Sequence, residues 1–392
     1  MDIFNKCFNY KIVDELKNEG IYPYFHTLTS SQDTVVTMEG KRTVMLGSNN
    51  YLGLTTEEEV KQAGIDAIKK YGTGCSGSRF LNGTLDTHVL LEQELADFLH
   101  KEEVVTFSTG FQSNLGIISA ICGLSDYILC DKENHASIYD GCKLSYAKMI
   151  RYKHSDMQDL ESRLESLDLE NHGVLIITDG VFSMSGEIAN LPEIVRIAKK
   201  FGARVMVDDA HGLGVLGEHG RGTAEYFGLE NEVDIYMGTF SKSLASLGGY
   251  MASSKAVCNY VRHTSRPFIF SASITPASVA TARASLNILA NHPERVARLL
   301  EISNYMRKLL KERDVKIIES NTPIIPIYVY EDEKAFIACK LLLERGVYVN
   351  PVISPATPKG YALLRTSYTA THDEKDLEYA ANQIKEVLDI LK

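Results

Sequence analysis

The sequence predicts an α/β protein: a large domain built on a mainly parallel sheet, with a smaller α+β domain at its C-terminal end. Three observations predict it. From about residue 55, short β-branched runs alternate with stretches of helical period, the pattern of strands joined by crossover helices. Runs such as Val174-Leu175-Ile176-Ile177 are apolar without interruption, which suits strands covered on both faces. After Pro276 the alternation gives way to a long helix-compatible segment and then to strands and helices of different spacing.

In chain order, residues 1–20 read as an isolated helix that needs another domain or subunit to pack on. Residues 35–38 and 43–46 flank Glu39-Gly40-Lys41 and read as a hairpin. Strands of the large sheet are expected at 103–107, 127–130, 174–178, 204–208 and 234–239, and the segments 160–167 and 192–201 are amphipathic at helical spacing. Beyond Pro276 a helix is expected to about residue 313, then strands at 315–318 and 322–329, a helix at 333–345, a strand at 347–350 and a closing helix from Asp373. The implied division is an N-terminal helix and hairpin segment at 1–47, a large domain at 48–285 and a small domain at 286–392.

The chain carries 51 acidic against 41 basic side chains, a formal net charge of −10. That balance argues against a general nucleic-acid or anionic-membrane surface, so an anionic substrate has to meet locally placed arginines, lysines or backbone amides. Asp2, Lys6, Lys11, Asp14, Glu15 and Lys17 interrupt the first residues, so no signal peptide is read there. No apolar stretch reaches the roughly 18 residues of a spanning helix. A cytoplasmic protein without a transmembrane segment is expected. The seven cysteines are odd in number and lack C-x-x-C spacing, so reduced and mostly buried thiols are expected, with no metal site.

Ligands of open α/β sheets bind outside the carboxyl ends of the strands, which makes polar residues that follow strands the candidates. Val205-Met206-Val207 runs into Asp208-Asp209-Ala210-His211, where a carboxylate and a histidine three residues later can point at one bound ring. Capping a helix is the other role open to such an aspartate. Tyr236-Met237-Gly238-Thr239 leads into Phe240-Ser241-Lys242-Ser243. Lysines after strands are usually solvated; one that enters a cleft is desolvated, its pKa falls, and the amine becomes a nucleophile toward an aldehyde. The neighbouring hydroxyls and Gly248-Gly249 suit close approach of a phosphate and of other backbone. Phe107-Ser108-Thr109-Gly110-Phe111 ends a strand and opens a helix, whose free amides at Gly110 and Phe111 form an anion site. Unlike G-x-G-x-x-G this segment is not a dinucleotide fingerprint, and no Walker lysine pattern occurs, so nicotinamide and nucleoside triphosphate chemistry is poorly supported. His135, after Asp131-Lys132-Glu133-Asn134, sets an imidazole over the same edge, where it can stack on a flat ring. In the small domain Arg365 sits in the short strand Leu363-Leu364-Arg365-Thr366-Ser367, and its planar fork suits a carboxylate, either of a substrate or of an Asp or Glu partner.

With these residues in place, the chain resembles the α-oxoamine synthases. These are pyridoxal-phosphate-dependent transferases of fold type I that condense an amino acid with an acyl-CoA and lose the amino acid's carboxylate as carbon dioxide. The resemblance covers nearly the whole chain. It runs from Ser48-Asn49-Asn50-Tyr51-Leu52-Gly53-Leu54 through Gly72-Thr73-Gly74-Cys75-Ser76-Gly77-Ser78-Arg79, Asn134-His135-Ala136-Ser137, Thr178-Asp179-Gly180-Val181-Phe182-Ser183-Met184, Asp208-Asp209-Ala210-His211-Gly212 and Thr239-Phe240-Ser241-Lys242-Ser243 to Arg365.

The resemblance implies roles by position. Lys242 would carry pyridoxal 5'-phosphate as a Schiff base and, once displaced, act as base at the substrate Cα. Asp208 would pair with the ring nitrogen, His211 and Ser183 would bond the ring hydroxyl, and His135 would stack on the ring face. The phosphate would sit on Gly110, Phe111, Thr239 and Ser241, with Ser273 donated across a homodimer interface. Thr275-Pro276 after that serine departs from the family's more usual Pro-Pro. Arg365, with Asn49 or Asn50, would hold the amino-acid carboxylate. Within the family, Thr239-Phe240-Ser241-Lys242-Ser243 and Tyr22-Pro23-Tyr24-Phe25 resemble the soluble bacterial branch that joins L-serine to a long-chain acyl-CoA such as palmitoyl-CoA, giving 3-ketosphinganine. The branches that make 8-amino-7-oxononanoate, aminolevulinate or acetylated glycine need the same cage and stay open. So do an aminotransferase and a non-catalytic subunit, although the intact Lys242 argues against the latter.

Overall fold

A computed structural model describes residues 2–392. The strands β1 (Val35–Met38) and β2 (Lys41–Met45) form the expected antiparallel hairpin. Glu39 and Gly40 both take positive φ, 49° and 77°, the conformation that a two-residue turn needs if it is to follow the twist of its strands.

Seven strands build the central sheet: β3 (Glu103–Phe107), β4 (Asp126–Asp131), β5 (Lys148–Tyr152), β6 (Gly173–Asp179), β7 (Arg204–Asp208), β8 (Ile235–Thr239) and β9 (Gly249–Ser253). Their order is β3-β9-β8-β7-β6-β4-β5, and only β9 runs against the rest. All five expected strands are present. The sequence did not announce β5, an edge strand whose Lys148 and Arg151 are exposed, nor β9, which is rich in small residues. Alternate residues of the inner strands serve two cores: Val205 and Val207 pack with Leu95, Leu160 and Ile194 on one face, Met206 with Ile117, Ile177 and Met251 on the other. This two-sided burial is why the strands read as continuous apolar runs. Register aligns the strand ends as well: Asp179 pairs with Asp208, Asp208 with Met237, and Gly249 with both Thr239 and Phe107.

Beyond the sheet the expected single helix is two, Pro276–Asn291 and Glu294–Glu312, divided at Pro293, which has no N–H to continue the ladder. The small domain carries β10 (Ile324–Tyr330), β11 (Val347–Tyr348), β12 (Asn350–Val352) and β13 (Ala362–Ser367), with helices Asp332–Glu344 and Glu374–Ile390. Residues 315–318 form no strand; Ile317 makes only an isolated bridge to Ile327. The single strand expected at 347–350 is likewise two, because β11 pairs with β2 while β12 pairs with β13 in the sheet β10-β13-β12. Through β11 the hairpin joins the small domain, and Val44 and Leu46 pack in one core with Ile325, Leu342, Leu364 and Ile384. Residues 2–20 hold two short helices, Asn5–Phe8 and Ile12–Asn18, instead of one; neither has a side-chain cap and neither buries a residue. Asn9 lies between them, and asparagine is a poor helix-interior residue because its amide competes for backbone hydrogen bonds.

All seven cysteines are free, five of them buried. Among the described residues no helix is long and apolar enough to cross a membrane, and no acid, histidine and cysteine cluster could hold a metal.

One titration is built into the small-domain packing. His372 is buried, its Nδ1 accepts from Thr369 N at 2.9 Å, and its Nε2 has no partner. Burial pushes its pKa down to about 4 from 6.5. The unfolded chain binds the proton near pH 6.5 and the folded one only near 4, so the contribution is intact above 6.5 and lost as pH falls toward 4. It amounts to about 3 kcal/mol at most. His372→Gln should flatten this acid limb in denaturant unfolding measured as a pH series, and an unchanged slope would refute the assignment.

Candidate active site

The carboxyl edge of the sheet gathers the candidate residues. Asp208 ends β7, where Asn114 Nδ2 donates to its Oδ2 at 2.7 Å and Ala210 N to its Oδ1 at 3.0 Å. Asn114 also donates to Ser137 Oγ at 2.8 Å. Beside Asp208 in register lies Asp179, which accepts from His135 N at 3.0 Å. Burial first, and then the Asp208 charge, push the Asp179 carboxyl well above the usual range. Asp209, next along the chain, faces Thr223, and burial pushes its pKa up to about 7.

Just after β3, Thr109 caps the helix Gly110–Ile121 by accepting from Gln112 N at 3.1 Å, and Gly110 and Phe111 begin that helix at the cavity wall. Glycine is required at 110: a Cβ there would stand 2.9 Å from the Thr239 side chain. Thr239 Oγ1 lies 2.9 Å from Ser241 Oγ, so two hydroxyls face the same helix start. Lys242 follows. Desolvation in the cleft lowers its amine to about 8, against the opposing pull of Asp208 and Asp179.

His211 is buried, and burial together with the charges of Lys242 and Arg365 holds its pKa well below the usual value, so the ring is neutral. Its Nδ1 lies 2.7 Å from the Tyr51 hydroxyl, which is 3.3 Å from Asn49 Oδ1. His135 caps the next helix through Ser137 N at 3.2 Å, and partial desolvation lowers its pKa. Arg365, on β13, donates from Nε to Ser183 O at 2.6 Å and from a terminal nitrogen to Asn49 Oδ1 at 2.9 Å.

Nine sequence candidates thus line one cavity of about 290 Å³: Gly110, Phe111, His135, Ser183, Asp208, His211, Thr239, Ser241 and Lys242. Arg365 and Asn49 border it through Ser183 and Tyr51. Asn50 does not; its amide spans Thr55 Oγ1 at 2.7 Å and Leu54 N at 3.1 Å and holds a turn. Ser273 also lies outside, with its hydroxyl on Gly77 O at 3.1 Å. The sequence alone assigned no role to Asn114, Asp179 or Tyr51. Asp179 was within reach of the rule that found Asp208, since both end central strands.

The donor set fits a flat phosphorylated ring bearing a nitrogen and an aldehyde. Helix-start amides and hydroxyls form a phosphate cradle too tight for any side chain at Gly110, while a carboxylate, an imidazole and an amine surround the remaining space. A larger cavity of about 560 Å³ lies at the opposite edge of the sheet, among His100, Asp126 and Arg204, far from these groups.

Residues 41–384 match the family model of aminotransferase class I and II. A serine palmitoyltransferase of Sphingobacterium spiritivorum is 50% identical over 379 residues, 97% of this chain and 95% of that protein. An 8-amino-7-oxononanoate synthase of Thermosipho melanesiensis is 43% identical over 378 residues, 96% of each. The high-resolution structure of SPT with a PLP internal aldimine superposes with a TM-score of 0.96 at 37% identity, covering 100% of this chain and 99% of that one.

The lowered pKa of Lys242 makes it more reactive than a lysine of ordinary pKa. At pH 7 a pKa near 8 leaves roughly 300 times more free amine than the ordinary lysine value. Incubation with an aromatic aldehyde followed by borohydride reduction should therefore label Lys242 first, as read by peptide mass spectrometry. Labelling spread evenly over surface lysines would contradict this.

Proposed function

The chain belongs to the aminotransferase class I and II family, and from that membership, the site and the named relatives we propose that it binds pyridoxal 5'-phosphate and condenses L-serine with a long-chain acyl-CoA, palmitoyl-CoA. The products are 3-ketosphinganine, CoA and carbon dioxide. The observation that carries the chemistry is the Lys242 amine, held at a pKa of about 8 beside Asp208 in a cavity with a phosphate cradle. The choice of substrates rests on the relatives, among them the half-identical serine palmitoyltransferase.

Bound pyridoxal phosphate supplies a sink for the electron pair left at Cα when a proton or a carboxylate departs. Gly110, Phe111, Thr239 and Ser241 would hold its phosphate, Asp208 its ring nitrogen, His211 and Ser183 its ring hydroxyl, and His135 one ring face. Asn114 and Ala210 fix the Asp208 carboxylate from two sides. Lys242 Nζ would be the covalent anchor and, once displaced, would take the proton from serine Cα; the same amine can return it to that carbon after the carboxylate has left as carbon dioxide. Arg365 presents its guanidinium to the serine carboxylate, with Asn49 as its second support. Val181 and Met237, both buried in the lining, help to keep water from the reacting carbon.

The same proposal covers the assembly. A homodimer with Ser273 reaching the partner's phosphate accounts for a serine outside its own cavity and for exposed apolar side chains, Phe111 (44%), Leu247 (52%) and Phe270 (78%). Seven unpaired cysteines support a reducing, cytoplasmic setting. We divide the chain functionally into a cofactor-holding part at 48–285 and a part at 286–392 that brings Arg365, to which the hairpin of the N-terminal segment is attached.

With L-serine and palmitoyl-CoA the purified protein should release one CoA and one carbon dioxide per long-chain aminoketone, and no CoA without an amino acid. L-Alanine or glycine should be at least about tenfold poorer. Lys242→Ala should lower kcat by at least about 100-fold with unchanged far-UV circular dichroism. Arg365→Ala should raise KM for serine by about 10- to 100-fold while leaving that for palmitoyl-CoA alone. Preferred turnover of alanine with a short acyl-CoA, or amino transfer without CoA release, would overturn the reading.

A further inference from the structure

His154 lies outside the cavity, just after β5, and its ring is enclosed by acids. Nδ1 is 2.9 Å from Asp131 Oδ1, Nε2 is 3.1 Å from Glu187 Oε2, and Glu133 Oε2 stands at 3.6 Å. Asp131, Glu133 and Glu187 are the charged groups that face it, and the Phe182 ring packs edge-on with centroids 4.4 Å apart. A carboxylate only accepts, so a ring with carboxylate oxygens on both nitrogens carries both protons and a positive charge. Ser155 repeats the same two contacts: its N donates to Asp131 Oδ2 at 3.0 Å and its hydroxyl to Glu187 Oε1 at 2.7 Å. To do so it adopts a φ of 51°, a left-handed conformation that a serine takes only at a cost.

The two acids thus joined belong to different turns. Asp131 ends β4, is 1% exposed and stands four residues before His135; Glu187 stands four residues after Ser183. An acid as deeply buried as Asp131 needs a partner of opposite charge, and His154 is that partner. The turn that ends at Glu187 is closed by Phe182 N on Glu187 O at 2.9 Å, and its Ser183 carbonyl is what Arg365 Nε grips.

We infer that His154 is a positioning residue of the active site: as an imidazolium it ties the Asp131–His135 turn to the Ser183–Glu187 turn and so fixes His135, Ser183 and Arg365 relative to one another. The inference rests on the cavity being the pyridoxal-phosphate site proposed above. Burial opposes the charge, yet the hydrogen bonds to Asp131 and Glu187 prevail and push the His154 pKa up to about 10 from 6.5. A raised folded pKa gives a link that is complete below pH 6.5, still present at neutral pH, and lost as pH rises through about 10.

Three variants of the holoenzyme test it. His154→Phe removes both links of the imidazole and leaves those of Ser155, His154→Arg restores a permanent charge with two donors, and Glu187→Gln weakens one arm. The readouts are the circular dichroism of the bound cofactor, its dissociation constant, and kcat and KM for both substrates. His154→Phe should lower kcat and weaken cofactor binding by about tenfold or more, diminish the cofactor dichroism, and leave KM for palmitoyl-CoA within about twofold. His154→Arg should recover kcat to within about threefold of the starting protein, and Glu187→Gln should fall between. If His154→Phe lowers only the unfolding temperature and keeps cofactor dichroism and kcat, or if His154→Arg is no better than His154→Phe, the inference is wrong. Should His154→Phe fail to fold, an unchanged dichroism and kcat in Glu187→Gln overturns it equally. Failure of the unaltered protein to bind pyridoxal phosphate would instead remove the functional reading, and this inference with it.

Discussion

Asp208 is a carboxylate buried at the tip of a central strand, and its neighbours are arranged around the electrostatic problem this creates. A second carboxylate, Asp179, stands beside it in register. Two such groups in a place poor in water cannot both be charged without compensation. The fold treats the two differently. Asn114 and Ala210 N donate to Asp208, while Asp179 accepts from the His135 backbone and has its pKa raised. Lys242 feels both acids. Desolvation alone would drive its amine lower, and their pull stops the fall at about 8, where the amine can serve as nucleophile and as proton carrier near neutrality.

The position of Arg365 depends on the small domain, yet its hydrogen-bond partners come from elsewhere. β13 lies between β10 and β12, and from it the guanidinium reaches Ser183 O in the turn after β6 and Asn49 just after the hairpin. That hairpin is itself fastened to the small domain: Ser367 N donates to Leu46 O at 2.8 Å, Ser367 Oγ to Ser48 O at 2.6 Å, and Asn350 Nδ2 to Gly47 O at 2.9 Å. Segments distant in the chain therefore meet at one guanidinium. A carboxylate bound there would be registered against both the large sheet and the small domain.

The same distances explain what the sequence could disclose. Strands buried on both faces announce themselves by uninterrupted apolar runs, and residues that follow them directly, such as Asp208, Lys242, Gly110 and His135, are found by local reasoning. β9 escaped because Gly249 is selected for closeness to Gly110, not for hydrophobicity. Tyr51 and Asn114 escaped because their partners, His211 and Asp208, lie 160 and 94 residues away. Between the adjacent Asn49 and Asn50 only the folded turn decides, by spending the Asn50 amide on Thr55 and Leu54.

Size alone would have pointed to the other edge of the sheet, where the larger cavity lies. Its polar groups, however, are already engaged with protein. Arg204 pairs with Asp234 at 2.7 Å, Lys101 donates to the carbonyls of Glu230 and Val233, Asp126 accepts from Gly123 N, and Glu102 accepts from Lys255 N. At the carboxyl edge, by contrast, Lys242 Nζ makes no hydrogen bond to the protein among the described residues, although two acids lie near enough to shift its pKa. A half-buried amine without a protein acceptor gives up part of its hydration for no hydrogen bond in return. Its persistence in the smaller cavity is what reaction chemistry requires and what stability alone would not select.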